Sequence, residues 1–436
     1  MKTAFKPVIL LLFGILLIAS GCSKGKSTSW KSFKSPEVVS QLKSFVSEKE
    51  AQANASTNAV VPGYASFFAA AQKGDWLAVN HAFKDFRNHA GQYEHSGKTD
   101  ERLRGTKWQA VMEVWGTLDS MAEGNEKYST LYANEIINSI PSGSVYFGGT
   151  DPGRFLITGM EKSQVNGDPF FLITQNALAD STYLDYVRSM YGDRLYIPTS
   201  ADSQKCFQDY SEDAQKRLKE GQLKPGENVS VDPQSGRVQV TGQIAVMEIN
   251  ALLAKIIFDQ NSNYDCYIEQ SFPLDWMYPY LEPHEMILKL DRQRVAGLSD
   301  TIVQQDHDYW TNLIQPMIGD WLNDSTSVQE IADFGKKVFR QHDLSGFTGD
   351  PQFVQNDYSC KMFSKERSNI AGLFAWRAAH STNDAERERM IRATDFAYRQ
   401  ALALCPSSPE AIYGYVNFLQ SQNRSGDAAI VLEMKK

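Results

Sequence analysis

The chain reads as an α/β protein with large all-α portions: an N-terminal helical layer, a central parallel or mixed α/β sheet unit, and C-terminal tetratricopeptide-like helical repeats. Three observations predict this. Apolar residues recur at helical spacing from about residue 63 to 140. Short strand-like runs then alternate with helical stretches from 141 to 291, and the last segment spaces small and bulky residues as a 34-residue helical repeat would. A chain of 436 residues exceeds what one core accommodates, and 42% hydrophobic with 22% charged residues is the composition of a folded chain.

The first residues carry an address. Lys2 and Lys6 precede an uninterrupted apolar run from Val8 to Ala19, followed by Ser20-Gly21-Cys22. That run is too short to cross a hydrocarbon layer of about 30 Å as a helix, so residues 1–21 are expected to form an export signal peptide. The stretch resembles the bacterial lipobox, with Ala19 where Leu is more usual. The resemblance implies that Cys22 is the lipidation site and the mature N-terminus, carrying several acyl chains (palmitate among them) and tying the protein to a lipid bilayer, since a single chain anchors only marginally. An ordinary signal peptide with a chance cysteine, or a signal anchor, is the competing reading. Ser23, where Asp favours inner-membrane retention in some bacteria, leans the extracytoplasmic cell-envelope assignment toward the outer membrane.

Residues 22–62, rich in Ser, Lys, Ala and Asn, read as a lipidated tether. Within it Ser35 and Pro36 form a helix start, with Val38, Val39, Leu42, Phe45 and Val46 on one face. Residues 63–140 read as a helical region. Tyr64 to Lys73 and Trp76 to His89 flank a Gly74-Asp75 turn as a hairpin, followed by helices through Trp108, Met112 and Trp115 and through Leu131, Ile136 and Ile137. Their aromatic rings suit a core.

Residues 141–291 read as the α/β domain. Val145-Tyr146-Phe147 is a strand leading through a Gly-rich turn to a helix from Arg154. Phe170 to Thr174 and Leu195 to Ile197 are further strands around a helix from Tyr183 to Tyr191. Val229 to Val231 and Val238 to Val240 suggest a hairpin appended to the sheet. A helix from about Gln243 to Phe258, then strands at Tyr264 to Gln270 and Met286 to Leu290, complete it. Residues 292–436 read as a helical, tetratricopeptide-like domain. Tyr398, Ala401 and Pro406 match the second half of one repeat, and Ile412, Tyr415, Val416, Leu419, Ala428 and Leu432 continue into the next. An insertion from His380 to about Arg387 is expected to interrupt the helix before them.

From Ile140 to about Leu290 the chain resembles the extracytoplasmic region of bacterial multi-spanning membrane proteins related to protein O-mannosyltransferases. The resemblance rests on Ser144-Val-Tyr-Phe-Gly-Gly-Thr-Asp151 before a helix, Phe170-Phe-Leu-Ile-Thr174, Asn176, and Asp180 to Tyr183. In that group a soluble α/β segment and helical repeats follow a membrane-embedded catalytic region. No such region is present in this sequence, so the resemblance implies an accessory or ligand-binding module and not a transferase.

For chemistry, the Gly148 to Arg154 turn is the leading candidate, because a Gly-rich link between strand and helix offers backbone N–H groups to an anion. It lacks the Gly-Lys-Ser/Thr ending of a P-loop and the spacing of a dinucleotide fold. The bland alternative makes Asp151 an N-cap with Pro152 first in the helix. If a ligand binds at the strand ends, Thr150, Asp151 and Arg154 are expected to meet Asn176 and Asp180. Asp306-His307-Asp308 reads as a solvated helix surface, since adjacent helical residues point apart. No metal motif, cofactor motif or catalytic residue is assigned. Cys206, Cys266, Cys360 and Cys405 permit three disulfide pairings in an oxidising compartment, or buried thiols. A formal charge of −8, more negative once Lys2 and Lys6 leave with the signal, sets nucleic acid aside.

The sequence thus points to a membrane-anchored lipoprotein whose repeats bind a protein partner and whose α/β unit supports them or takes a polar ligand such as carbohydrate. The alternatives are an enzyme acting on envelope carbohydrate, by glycosyl transfer or hydrolysis, and a structural envelope protein.

Overall fold

The computed structural model describes Trp30 and residues 33–55, 63–89, 106–232, 238–270 and 274–435. The expected signal peptide, Cys22 and part of the tether lie outside the described residues. Helix α1 (Pro36–Ala55) starts where expected, with the Ser35 hydroxyl accepting from Val38 N at 3.2 Å, and it buries Val38, Leu42, Phe45 and Val46. The chain is mostly helical and contains a mixed five-stranded sheet. It divides into two compact units, each assembled from separated segments.

The first unit draws on Val46–Trp115 and Thr174–Asn261, together with Trp30. Its hairpin of α2 (Tyr64–Gln72) and α3 (Trp76–His89) turns at Gly74, whose φ of +67° is open to glycine, and a Cβ there would strike the Trp30 ring. From α4 (Thr106–Glu123), Trp108 and Trp115 stack on Phe83 with ring centroids 5.1 and 4.3 Å away. The helices are also tied by a buried polar knot. Lys49 Nζ lies 2.8 Å from Glu113 Oε2 and donates to the Tyr186 hydroxyl of α7 (Ser181–Tyr191) at 2.9 Å, while that hydroxyl donates to Glu113 at 2.6 Å. Lys49 is wholly buried, so the knot survives only because each charge has its partner.

The expected strand at Leu195 to Ile197 is absent. The backbone N–H and carbonyl of Tyr196 are both taken by the Asn261 side chain, at 2.8 and 3.0 Å, leaving no ladder to form. The segment instead leads into α8 (Ser200–Glu220), started by a reciprocal cap in which Thr199 and Asp202 satisfy each other's backbone N–H. Strands β3 (Asn228–Val231) and β4 (Val238–Thr241) pair antiparallel as a separate two-stranded sheet packed on α8 and α9 (Gln243–Gln260), not as an extension of the central one. Residues 233–237 of their connection lie outside the described residues.

The second unit comprises Lys31–Phe45, Gly116–Ile173 and Ser262–Lys436. After α5 (Glu126–Ser139), β1 (Val145–Gly148) leads into α6 (Asp151–Met160) and then β2 (Phe171–Thr174). With β5 (Cys266–Glu269), β6 (Leu281–His284) and β7 (Ile287–Leu290) they form a sheet in the order β2-β1-β5-β7-β6. β1 and β5 are parallel, with Gly148 opposite Glu269, whereas β5, β7 and β6 pair antiparallel. β1, β2 and β5 are buried throughout, as their apolar runs require. β6, not expected from the sequence, ends the sheet order and carries Pro283, which an edge strand tolerates; Glu285 at φ +52° turns it into β7.

The remainder is helical: α10 (Asp300–Ile318), α11 (Val328–Phe334) continuing into a π-helical turn at Gly335–Arg340, α12 (Pro351–Val354), α13 (Asp357–His380), α14 (Asp384–Leu404), α15 (Pro409–Ser421) and α16 (Ser425–Glu433). The expected insertion after His380 is not one. α13 runs unbroken to His380, and residues 381–383 are a short connection whose Asn383 caps α14. The two helices run antiparallel, with the Ser364 hydroxyl donating to Ala401 O at 2.8 Å. Ala401 and Ala428 are buried, as are Tyr398, Pro406, Ile412, Tyr415, Val416 and Leu419, whereas Leu432 is 40% exposed.

Asp306 also departs from expectation. It is buried and accepts two hydrogen bonds from Arg367 Nη1, at 2.9 and 2.8 Å, while Asp308 lies on the exposed side of the same helix. The adjacent residues do point apart, but one of them points inward. Cys206, Cys266, Cys360 and Cys405 are all buried free thiols, and burial raises the pKa of each.

Candidate functional site

The strand-to-helix turn is built by three elements of the second unit. β1 delivers Gly148 and Gly149, α6 begins immediately afterward, and the parallel neighbour β5 ends on Glu269 directly across from Gly148. Glu269 reaches into the turn. Its Oε2 accepts from Gly149 N and Thr150 N, each at 3.0 Å, and its Oε1 accepts from the Thr150 hydroxyl at 2.5 Å. The N–H groups that sequence reasoning offered to an external anion are therefore held by a carboxylate of the chain itself. Glu269 is completely buried.

The glycines follow from this arrangement. A Cβ on Gly153 would overlap Glu269 Oε2, and one on Gly149 would overlap the Gln270 amide. The N-cap is Thr150, not Asp151. Its extended backbone and its Oγ1, which accepts from Gly153 N at 3.1 Å, start the helix, while Asp151 is already in the first turn. Asp151, with its side chain 51% exposed, pairs with Arg154 at 2.8 Å, and the Arg154 guanidinium lies over the Phe155 ring.

Behind Glu269 lies a second acid. Glu366 of α13 is 1% exposed and accepts from the Tyr132 hydroxyl of α5 at 2.9 Å. Burial and the neighbouring Glu269 carboxylate push its pKa well above the ordinary carboxyl range. The Glu366 carboxyl is therefore biased toward its protonated form. Burial and the same acids raise the pKa of the Tyr132 and Tyr146 hydroxyls, and the latter donates to Gly153 O at 2.7 Å. The cluster is an internal carboxyl pair wrapped in phenols. Buried this deeply, it braces β1, β5, α5, α6 and α13.

The other expected site residues, Asn176 and Asp180, belong to the first unit. The Asn176 carbonyl accepts from the Asn250 side chain at 3.0 Å. Asp180 caps α7 by accepting from Thr182 N at 2.8 Å and also accepts from Gln109 at 3.3 Å; burial raises its pKa despite these donors. Asp180 therefore has a local structural role, and Asn176 is tied in through its backbone carbonyl. Thr150, Asp151 and Arg154 share one turn, while Asn176 lies in a short 3₁₀ turn and Asp180 at the start of α7.

No protein family model, curated protein or solved structure matches the chain. The function must be read from its own residues.

The second unit also carries a surface cleft beside its π-helical turn. About 280 Å³ in volume, it lies between the π-helical turn and α16, where Gln329, Asp333, Lys336 and Arg340 face Ile430 and Met434. A π turn widens the helix and reorients its side chains, and such turns recur at functional sites. Here Arg340 donates to the carbonyls of Glu433 and Met434, closing the end of α16, while Lys336 stays exposed at the rim. Sequence reasoning did not single these residues out, since Lys336-Lys337 and Arg340 look like an ordinary solvated helix face. Among the described residues no group of three or more His, Cys, Asp or Glu side chains is placed to hold a metal ion, and no helix is long and apolar enough to cross a membrane.

Proposed function

We propose that the protein is a lipid-anchored extracytoplasmic binding module, held to a bilayer through Cys22 and recognising a protein partner through C-terminal tetratricopeptide-like helices, without catalysis. The observation that carries this reading is the cleft beside the π turn. It is lined by the apolar Ile430 and Met434 together with charges of both signs, Asp333, Lys336 and Arg340. That mixture suits a polypeptide presenting an apolar side chain flanked by polar groups. The buried small residues Ala401 and Ala428 support the repeat assignment, because they let neighbouring helices approach closely.

The carbohydrate-enzyme reading is less well supported. It needs a pair of acids open to substrate at the sheet ends, whereas Glu269 is buried, Asp180 caps a helix, and the half-exposed Asp151 is paired with Arg154. A purely structural envelope protein would show no specific capture.

Two measurements test the proposal. A photo-crosslinking residue at position 336 in intact cells should give one discrete adduct that Ile430→Glu abolishes and that a probe at position 255 does not give. Adducts indifferent to Ile430→Glu would refute partner binding at the cleft. Fractionation of Cys22→Ser should move the protein from the membrane to the soluble pool; continued tight membrane association would refute the lipid anchor.

A further inference from the structure

Trp30 pins the segment that leads from Cys22 to the turn of the α2–α3 hairpin. Its indole Nε1 donates to Gln72 O at 3.1 Å, its backbone N–H donates to Lys73 O at 3.4 Å, and its ring fills the space that Gly74 leaves bare. At 9% exposure the ring is docked. Only eight residues separate it from Cys22, a reach of about 28 Å at full extension. The hairpin turn can therefore move no farther than that from whatever holds residue 22.

Leu77 stands beside this turn, three residues past Gly74 and so within about 11 Å of it along the chain. It is 52% exposed, more than any other large apolar side chain among the described residues, although its neighbour Trp76 is turned against Trp115. One exposed leucine is ordinary by itself. This one lies at the end of a short leash, with Lys73 exposed at the turn and His81 and Lys84 exposed one and two turns along α3 on the same face. Asp75, the acid between Lys73 and Leu77, accepts from Ala78 N at 3.2 Å at the start of α3.

We propose that the α2–α3 turn is the membrane-facing surface of the first unit, with Leu77 seated among lipid head groups and Lys73 facing anionic ones. The proposal rests on the acylation of Cys22. Insertion of one leucine is too weak to hold a protein on a bilayer, but the leash keeps Leu77 at high local concentration beside the surface. The short tether thus does more than prevent escape: it selects the face that meets the lipid.

The experiment uses the full-length protein, extracted from membranes and reconstituted into phosphatidylethanolamine–phosphatidylglycerol vesicles containing a lipid with a nitroxide near its head group. A nitrobenzoxadiazole label is carried by Leu77→Cys or, for reference, by Gln208→Cys at an exposed position of α8; the native Cys206, Cys266, Cys360 and Cys405 are buried. Vesicle flotation reports the anchor, and nitroxide quenching reports the face. The label at 77 should be quenched several-fold more than the label at 208. Lengthening the leash about fivefold with Gly and Ser residues between Ser27 and Thr28 should lower the local concentration roughly tenfold, and the quenching at 77 with it, while the protein still floats. Flotation with equal quenching at 77 and 208, or with quenching at 77 indifferent to the longer leash, overturns the proposed face and leaves the anchor standing. A full-length chain that does not float overturns the anchor itself, and the membrane-facing assignment falls with it.

Discussion

Gly153 leaves empty the space that the Glu269 carboxylate occupies, and any Cβ at that position would overlap its Oε2. The two residues come from neighbouring elements and neither position is free to change alone. Gly153→Ala should push the carboxylate off Gly149 N and Thr150 N, costing about 3 kcal/mol from overpacking and weakened charge-assisted hydrogen bonds. Urea denaturation is the measurement, and an unchanged midpoint would contradict the geometry.

Thr150 and Asp151 are adjacent but should respond differently. Thr150→Val removes the cap of α6 and the hydroxyl bound to Glu269 together, at roughly 2–4 kcal/mol. Asp151→Asn loses only a half-exposed ion pair with Arg154, worth about 1 kcal/mol or less. Thermal melts of the two variants side by side should show a large shift for the first and a small one for the second.

Glu366 sets a pH dependence. Its folded pKa lies above the ordinary 4.5, so the folded chain holds a proton that the unfolded chain has released. This contribution to stability is complete below pH 4.5 and is lost as pH rises through the folded value. Glu366→Gln copies the neutral acid and removes that loss. Its stability relative to wild type should increase from pH 5 to pH 8 in urea titrations, and a pH-independent difference would argue against the raised Glu366 pKa.

In the first unit, Lys49→Met removes the cation that faces Glu113 at 2.8 Å in a fully buried site. The expected loss is about 3–5 kcal/mol, most of it the cost of a buried charge without its counter-ion. Lys49→Met with Glu113→Leu should recover much of it. A double variant no more stable than the single would show that the knot is not a coupled pair.

Much of the fold was legible where periodicity was strong. The α2–α3 hairpin, β1, β2, β5, β7 and the helix from Gln243 were readable because each has a clean apolar pattern and a marked end. Tyr196 was not, since a short apolar run looks the same whether its backbone pairs with a strand or with the Asn261 side chain. The strand, turn and helix around Gly149 were legible, but the Glu269 side chain that fills the turn was not. Glu269 stands within a stretch already read as a strand, and an acid inside such a run was the available signal. Glu366 offered none, because Lys365-Glu366-Arg367 resembles any exposed helical stretch until α13 is placed against the sheet.

The interleaving of the two units sets an order of emergence during synthesis. The first unit has all its segments once Asn261 is made, but the second takes up Lys31–Phe45 and Gly116–Ile173 early and waits for Ser262–Lys436. During that interval β1, apolar along its whole length, lacks its parallel neighbour β5, and Thr150 lacks Glu269. An unpaired apolar strand is a template for wrong partners. The nascent chain therefore passes through a vulnerable stage that ends only when the strand carrying Glu269 arrives, and no single cut along the finished chain separates one unit whole from the other.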